Sequence, residues 1–358
     1  MTNEPAIPPR KKLPLAAIVG IVGLLIAVVY PFVPDLNQNI FRSIGTDIGN
    51  EMPTLFIYCI VALGLHVVVG NAGILHLGIG AFFAVGAFTT GILAVANYPF
   101  QFDLIPCMIC SMLVAATLAV VVSAPMLRLR GDYLALVTLG FGEVTRYVLR
   151  NFEEITNGTK TLGPLSSPKF LDWPAKQLGL TLNWQSYECW YFVTLVLLVA
   201  VFLFLRNLER SRIGRAWVAV REDELAATCM GIRSSTLKLL AFAIAGGLAG
   251  MAGSLYTFKL SNTSFPDQYG FNTSVLILVC LILGGLGNRW GVVLGVLLVV
   301  GFENIVAPTV DQHLKQQLGQ NDHFYMLPGF WKMFIFGLVL VVVMRFRPEG
   351  LVPERRDR

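Results

Sequence analysis

The stretch CWYFVTLVLLVAVFLFL (residues 189–205) carries no charged side chain and lies between Glu188 and Arg206. An α-helix rises about 1.5 Å per residue, so an apolar run of this length approaches the roughly 30 Å of hydrocarbon in a bilayer. Similar runs recur along the chain, separated by short polar segments. The stretch therefore predicts a transmembrane helix, and its repetition predicts a fold that the bilayer organises.

The composition agrees with this interpretation. Of 358 residues, 55% are hydrophobic and 14% are charged, whereas an ordinary soluble domain carries about 25% charged residues. A soluble protein of this length needs more charged surface than these residues can provide. We therefore predict an all-α integral membrane protein.

About ten apolar runs are long enough to cross a bilayer. They cover residues 14–33, 52–69, 74–96, 104–124, 133–150, 189–205, 238–258, 273–286, 291–307 and 328–345. The eighth and ninth runs are short enough to be tilted or broken. The N-terminal run exceeds the length of a cleavable signal and lacks a small-residue cleavage site, so we expect a retained helix. The predicted organisation is a tail (1–12), a membrane domain (13–345) and a second tail (346–358).

The distribution of Lys and Arg predicts the orientation of these helices. Basic residues concentrate in the N-terminal tail, in the segment 206–237 and in the C-terminal tail. Because cytoplasmic loops of membrane proteins are enriched in Lys and Arg, we expect both termini to be cytoplasmic. The same rule makes 206–237 a cytoplasmic loop and 151–187 the largest exterior loop.

The segment ERSRIGRAWVAVREDELAATCMGIRSSTLK (209–238) is polar within an otherwise apolar chain. Trp217, Val220 and Ala227 recur at helical spacing, which predicts a short amphipathic helix with an apolar face. Its charges are mixed, since Arg215 and Arg221 are followed by acidic residues, whereas a helix that lies on lipid favours a basic polar face. The pattern favours a protein partner whose groove receives the apolar face.

Sequence motifs for chemistry are absent. The chain has no GxxxxGK[ST] phosphate loop, no HExxH and no GxSxG motif, and its cysteines lie mostly in apolar segments without zinc-like spacing. Its basic residues do not form a nucleic-acid-binding pattern. We expect a protein that is not an enzyme, with no metal, no cofactor and no nucleic-acid partner.

Ionisable residues inside predicted spans are candidate functional groups, because a charge in hydrocarbon is costly. Glu143 and Arg146 are three residues apart and so share a helix face. They form either a structural ion pair or part of the wall of a translocation path.

His66 and His76 are expected to hydrogen-bond neighbouring helices. We assign Glu303 and Asn304 to an interfacial helix terminus.

Glycine-rich stretches occur at 70–88, 245–256 and 283–295. In the second of these, Gly246 and Gly250 have the spacing that lets two membrane helices approach closely. We therefore expect tight helix packing there.

Two further stretches, RLRGDYLALVTLGFGEVTRYVLRNFEEITNGTKTLGPL (128–165) and GRAWVAVREDELAATCMGI (214–232), resemble the LivM-type permease of branched-chain amino acid ABC transporters. The resemblance runs from about residue 50 to RPEGL (347–351). It implies an inner-membrane permease subunit, surrounded by membrane lipid, that pairs with a LivH-like second permease. It also implies two cytoplasmic ATPases that power transport and a periplasmic binding protein that delivers the substrate.

The resemblance also implies a loop that couples the permease to its ATPases. The family carries an EAAxxxG-like motif, and ELAATCMG matches it with an additional Leu225. The residues implied in coupling are Arg215, Trp217, Val220, Arg221, Glu224, Ala226, Ala227 and Gly231.

A zwitterionic substrate needs hydrogen-bond donors for its carboxylate, and unwound backbone at glycines can supply them. The candidate path residues are Gly73, Gly78, Gly80, Thr138, Gly140, Gly142, Glu143 and Arg146.

Three alternative functions stay open at this point. One is a related permease for urea or short amides, another is a secondary transporter that works alone, and the third, an integral membrane enzyme, lacks catalytic motifs.

Overall fold

A computed structural model describes residues 48–95, 98–127, 129, 132–165, 168 and 187–318, together with single positions between 331 and 352. Its α-helices are α1 (Ile48–His66), α2 (Ile79–Ala94), α3 (Leu104–Met126), α4 (Asp132–Asn151), α5 (Glu153–Thr156), α6 (Tyr187–Arg210), α7 (Arg212–Glu222), α8 (Glu224–Cys229), α9 (Ser234–Leu260), α10 (Phe271–Gly284), α11 (Arg289–Gly301) and α12 (Ala307–Leu318). The predicted span 14–33, the predicted N-terminal tail, more than half of the predicted span 328–345 and most of the predicted C-terminal tail lie outside the described residues.

Within the described residues, six helical segments are long and apolar enough to cross a membrane. They are Gly49–Asn71, Leu104–Met126, Tyr187–Arg210, Ser234–Leu260, Pro266–Gly284 and Arg289–Gln312. Each matches one of the predicted spans. The predicted span 133–150 is also helical, as α4, but is more polar than these six. The structure thus confirms the all-α fold for the described residues and is consistent with an integral membrane protein, while the total of ten spans stays a prediction.

The predicted span 74–96 is helical only from Ile79 onward. After α1, the chain makes a π-helical turn (Val67–Asn71) and then runs without helical structure to Gly78. Backbone groups inside a bilayer must find partners within the protein. Two side chains supply them here, because Thr138 Oγ1 accepts from Leu77 N–H at 3.1 Å and Ser274 Oγ accepts from Gly80 N–H at 3.0 Å.

α9 lies at the centre of the described bundle and packs against α2 and α3. A Cβ on Gly250 would come within 2.5 Å of Ser111 O on α3, and one on Gly86 would come within 2.2 Å of Gly250 O. The close helix approach predicted at Gly246 and Gly250 is therefore confirmed. It stabilises the bundle by van der Waals contact, since lipid provides no hydrophobic drive between helices.

The ninth predicted span is continuous, because α11 runs through a second π-helical turn (Phe302–Val306) directly into α12. Glu303 and Asn304 lie in that turn. Their assignment to a helix terminus is wrong, since a single residue inserted into a helix widens one turn without ending it. Such turns occur frequently at functional sites.

The described part of the predicted exterior loop 151–187 is docked on the bundle. Leu165 N–H donates to Ser261 O and Thr263 N–H donates to Leu162 O, each at 3.0 Å. Thr263 Oγ1 in turn accepts from Leu162 N–H at 3.0 Å. These bonds fix the loop to the segment that follows α9.

Candidate functional site

A cavity of about 370 Å³ opens between α1, α9, α10 and the second π-helical turn. We call it the cavity, and its lining residues are Thr54, Tyr58, Phe83, Tyr256, Asp267, Gln268, Tyr269, Asn272, Thr273, Leu276, Val300, Glu303 and Asn304. Thr54 and Tyr58 belong to the first half of α1, and Tyr256 belongs to the last turns of α9. The cavity therefore lies at the opposite end of the bundle from α7 and α8.

One wall of the cavity is aromatic. The ring centroid of Phe83 lies 6.0 Å from that of Tyr58, 5.6 Å from that of Tyr256 and 5.2 Å from that of Tyr269. Tyr269 is fixed further, because its hydroxyl donates to Thr263 O at 2.6 Å. Interlocked rings of this kind form a rigid apolar surface.

The other side of the cavity is polar. Glu303 and Asn304 reach it from the π-helical turn, and Thr54 reaches it from α1. Thr54 Oγ1 accepts from the ammonium of Lys259 at 2.5 Å, although Lys259 itself does not line the cavity. A carboxylate, from Glu303, thus lies at the polar wall, and an ammonium group, from Lys259, lies directly behind it.

Glu143 and Arg146 form the ion pair predicted from their spacing, at 2.7 Å between Nη2 and Oε2. Arg146 also contacts Asp267 at 2.5 Å, and Glu143 Oε1 accepts from Phe271 N–H at 3.0 Å. The pair therefore joins α4 to the start of α10, directly beside a cavity-lining carboxylate. This geometry is compatible with both of the roles proposed for the pair.

None of the eight candidate path residues is among the described residues that line the cavity. Gly78 packs on Thr138, since a Cβ there would meet Thr138 O at 2.3 Å. A Cβ on Gly80 would meet Tyr269 O at 2.6 Å, directly behind the aromatic wall. Gly140 faces open space, and Gly142 lies beside Gly78. Gly78 and Gly142 thus mark the close approach of α4 to the start of α2, and Gly80 supports the cavity from behind.

The predicted amphipathic segment forms two short helices at the other end of the bundle. Ser211 caps α7 by accepting from Ile213 and Gly214 N–H, and Asp223 caps α8 by accepting from Leu225 and Ala226 N–H. The caps satisfy N–H groups that have no partner within the helix. Asp223 therefore sets a bend between α7 and α8.

The apolar face of α7 and α8 packs inward, which differs from the expectation that a partner's groove receives it. Trp217, Val220 and Ala227 are buried, and the Trp217 indole N–H donates to Leu237 O on α9 at 2.8 Å. A free apolar face is costly in water, so the bundle covers it. These three residues position the helices and do not form their outer surface.

The outer surface of α7 and α8 has a different composition. Val218, Leu225 and Met230 are 45%, 73% and 83% exposed, and Ala226 is also exposed. We call these four residues the outer patch. Arg215 is exposed beside it, and Gly231 adopts a φ of +82° that favours glycine. Glu224 is paired with Lys238 of α9 at 2.7 Å, which fixes α8 to the bundle.

Two polar contacts join this end of the bundle to the break after α1. Arg221 on α7 donates to Gly70 O at 2.6 Å, and its side chain covers Gly73. Glu209 at the end of α6 contacts Arg289 at 3.3 Å and His66 Nε2 at 3.6 Å. α1, α6 and α11 thus meet at one carboxylate.

His76 does not form the predicted hydrogen bond to a neighbouring helix. His76 is buried between the rings of Phe82 and Phe242, at 5.7 and 5.2 Å. Neither of its ring nitrogens has a hydrogen-bond partner among the described residues.

No group of three His, Cys, Asp or Glu residues that could hold a metal ion occurs among the described residues.

Comparison with known proteins identifies a family for this chain. Residues 50–344 match the family described as branched-chain amino acid transport system / permease component. The chain is 33% identical over 350 residues to the high-affinity branched-chain amino acid transport system permease protein LivM of Escherichia coli, covering 94% of this chain and 74% of that protein. It is 27% identical to the probable branched-chain amino acid transport permease protein LivM of Methanocaldococcus jannaschii, over 84% of this chain and 91% of that protein.

More distant relatives match a smaller part of the chain. The autoinducer 2 import system permease protein LsrC of Salmonella choleraesuis is 25% identical over 157 residues, which is 44% of this chain and 40% of that protein. No solved structure matches the chain.

Proposed function

Since the chain belongs to the family of branched-chain amino acid transport permeases, we propose that it is the membrane-spanning permease subunit of an ABC importer for branched-chain amino acids. It is a multi-pass inner-membrane protein of a transport family, and that family is not one of enzymes. The observation that carries the proposal is the similarity to LivM over 94% of the chain.

This similarity favours branched-chain amino acids over the alternatives. It covers 94% of the chain, whereas the match to the autoinducer 2 permease covers 44% of the chain.

In the proposed function, the energy of transport comes from separate subunits. Two cytoplasmic ATPases bind the outer patch on α7 and α8, a LivH-like permease pairs with this chain in the membrane, and a periplasmic protein delivers the substrate. The outer patch suits such a contact, because exposed apolar side chains on a charged loop lose unfavourable hydration when a partner covers them. Arg215, Glu224 and Gly231 border the patch and complete the proposed coupling surface.

The proposed topology follows from this arrangement. With α7 and α8 in the cytoplasm, the cavity faces the periplasm, both chain termini are cytoplasmic, and about ten helices cross the membrane. Residues 13–345 form the permease domain between two short tails.

The contacts of Arg221 and Trp217 suggest how motion passes through the subunit. When an ATPase moves α7, Arg221 pulls on the carbonyl of Gly70, and Trp217 transmits force to α9 through Leu237. The non-helical segment 73–78 is a natural hinge, since it has few backbone bonds to break. A motion of this kind alternately exposes a path on the two sides of the membrane.

Uptake of labelled leucine by cells that lack the endogenous permease tests the proposed transport. Expression of this chain with its partner subunits is expected to restore ATP-dependent uptake, with unlabelled isoleucine and valine as competitors. Restored uptake of labelled urea or acetamide with no uptake of leucine contradicts the proposed substrate.

Co-purification tests the proposed coupling surface. Leu225→Glu and Met230→Glu are expected to reduce the amount of ATPase bound to the permease, because a charge replaces an apolar contact. Ile155→Glu is the matched control, since Ile155 is an exposed apolar residue on α5, far from α7. Unchanged ATPase binding in both α8 variants contradicts the outer patch as the docking surface.

A further inference from the structure

We propose that the end of α6, beside the start of α11, binds the phosphate group of an anionic phospholipid. Arg206 and Arg210 on α6 and Arg289 on α11 attract the head group, and we call these three residues the arginine cluster. The exposed apolar residues of α6 receive an acyl chain of the same lipid. This inference goes beyond the proposed transport function and concerns a surface that is separate from the cavity and from the outer patch.

The arginine cluster brings three positive charges together at one end of the bundle. Arg206 and Arg210 are four residues apart, so they lie on the same face of α6, and both are exposed. Arg289 is the first residue of α11, and it lies close enough to both of them for their charges to repel its own. The cluster therefore links two helices that both pack against α1.

The charge of the arginine cluster is only partly compensated. Glu209 contacts Arg289 Nε at 3.3 Å, and it also contacts His66. Neither Arg206 nor Arg210 has an ion-pair partner among the described residues. Like charges that are held together repel one another, and an anion placed between them offsets that repulsion. Basic sites between membrane helices at the cytoplasmic side are typical of sites for anionic head groups.

An apolar stripe on α6 leads into the arginine cluster. Val196 and Leu203 are 65% and 46% exposed. Val196, Leu203 and Arg210 are spaced by seven residues, which is about two turns of helix, so their side chains lie in one row. The row extends about 21 Å along the helix axis. A phosphate at the cluster and an acyl chain on the row match the two parts of one phospholipid.

Aromatic side chains place the arginine cluster at the depth of the head groups. The ring centroids of Phe202 and Trp290 lie 4.4 Å apart, and the guanidinium carbon of Arg289 lies 5.3 Å from the Phe202 centroid. Tryptophan in membrane proteins is enriched at the membrane–water interface, where the phosphates lie. Because α11 begins at Arg289, the positive end of its helix dipole adds to the attraction for an anion.

The composition of this face favours a lipid over a protein partner. Membrane helices usually approach one another through small residues, whereas α6 contains no glycine and exposes Val196, Leu203 and Phe204. A cytoplasmic ATPase does not reach the row, because the row extends from the helix end into the membrane span. A phospholipid contacts both the charged and the apolar part of the face.

Thermal stability of the assembled transporter in nanodiscs tests the arginine cluster. Phosphatidylglycerol added to phosphatidylcholine is expected to raise the melting temperature of the wild type by about 2–4 °C or more, since a ligand that binds the folded state stabilises it. The double variant Arg206→Gln/Arg210→Gln is expected to lose most of this rise. Arg233→Gln/Lys160→Gln is the matched control, because it removes the same number of charges at exposed positions outside the cluster.

Lipid retention tests the apolar row without a change of charge. Native mass spectrometry of the purified transporter measures how much phosphatidylglycerol stays bound. Leu203→Asn is expected to reduce retention about threefold or more, because an acyl chain loses an apolar contact. Leu113→Asn, at an exposed position of α3, is expected to leave retention unchanged.

Three outcomes would overturn the inference. The first is a rise in melting temperature of equal size in the wild type and in Arg206→Gln/Arg210→Gln. The second is a rise that inorganic phosphate reproduces in phosphatidylcholine alone, which identifies a soluble anion in place of a lipid. The third is loss of the ATPases from the double variant with unchanged lipid retention, which assigns the arginines to the docking surface. None of these measurements involves the substrate, so each outcome leaves the proposed transport intact.

Discussion

The guanidinium of Arg221 on α7 donates a hydrogen bond to the carbonyl oxygen of Gly70 at 2.6 Å, across 151 positions of the sequence. Gly70 lies in the π-helical turn that ends α1, directly before the non-helical segment 73–78. The contact joins the loop that faces the proposed ATPases to the break in a membrane helix.

Arg221→Ala is expected to reduce leucine uptake about tenfold or more, because a hydrogen bond from a charged donor contributes about 1.5–3 kcal/mol. ATP hydrolysis is expected to continue, since α7 keeps its fold through Trp217. The measurement is leucine transported per ATP hydrolysed. Arg212→Ala is the control, because Arg212 is exposed on the same helix. Loss of ATP hydrolysis and uptake together in Arg221→Ala, but not in Arg212→Ala, indicates a docking role and contradicts the relay.

Trp217→Ala is expected to destabilise the protein by about 3–5 kcal/mol, since it leaves a large cavity beneath α7. Trp217→Phe keeps most of the packing and loses the hydrogen bond to Leu237 O, so we expect a cost of about 1 kcal/mol. Thermal stability of the purified permease in detergent measures both. If Trp217→Ala is as stable as wild type but no longer binds the ATPases, Trp217 belongs to the docking surface after all.

Gly250→Ala and Gly140→Ala form a matched pair. A Cβ at Gly250 would meet Ala115 Cβ and Ser111 O at 2.5 Å, so we expect a destabilisation of about 1–3 kcal/mol. A Cβ at Gly140 would meet nothing within 4 Å, and alanine favours the helix by up to about 1 kcal/mol. The melting temperatures of the two variants should therefore move in opposite directions. A stable Gly140→Ala protein with reduced uptake would support a path role for α4.

Glu209→Ala is expected to lower stability by about 1–3 kcal/mol, because Arg289 loses its carboxylate partner in a partly buried position. The double variant Glu209→Ala with Arg289→Met is expected to be more stable than Glu209→Ala alone, since no unpaired charge remains. Abundance in the membrane and thermal stability measure both. Equal stability of the single and double variants would show that the ion pair contributes nothing.

Glu143→Gln separates the two roles of the Glu143–Arg146 pair. Glutamine can still accept from Phe271 N–H but loses the charge opposite Arg146. With a structural role, abundance and uptake are expected to fall together, and Arg146→Ala is expected to have the larger effect because it also releases Asp267. Normal abundance with lost uptake in Glu143→Gln would place the pair on the translocation path.

Much of the fold could be predicted from local patterns. The apolar runs at 52–69, 104–124, 189–205 and 238–258 correspond to helices in the structure, because their hydrophobicity is a property of consecutive residues. The close approach of α9 to its neighbours was visible in the spacing of Gly246 and Gly250. The Glu143–Arg146 pair could also be predicted, since a separation of three residues places two side chains on the same helix face.

The missed residues depend on distant parts of the chain. Glu303 and Asn304 were assigned to a helix end, because a π-helical turn leaves no clear signal in the sequence. An acidic residue within an apolar run is the local signal that marks Glu303 as a candidate functional group. The break at 73–78 was missed because the side chains that bond backbone N–H groups in it and just after it, Thr138 on α4 and Ser274 on α10, lie far away in the sequence.

The sequence by itself determined that this protein lies in a membrane, that one loop between its helices is polar and amphipathic, and that it resembles a permease. Only the tertiary structure decided which side of α7 is free and which residues share the cavity. The sequence shows that Trp217 is apolar but not which surface it contacts. In the structure, α9 covers Trp217, and no partner is needed to do so. Thr54, Tyr256 and Glu303 lie far apart in the sequence, and helix packing alone brings them to one cavity.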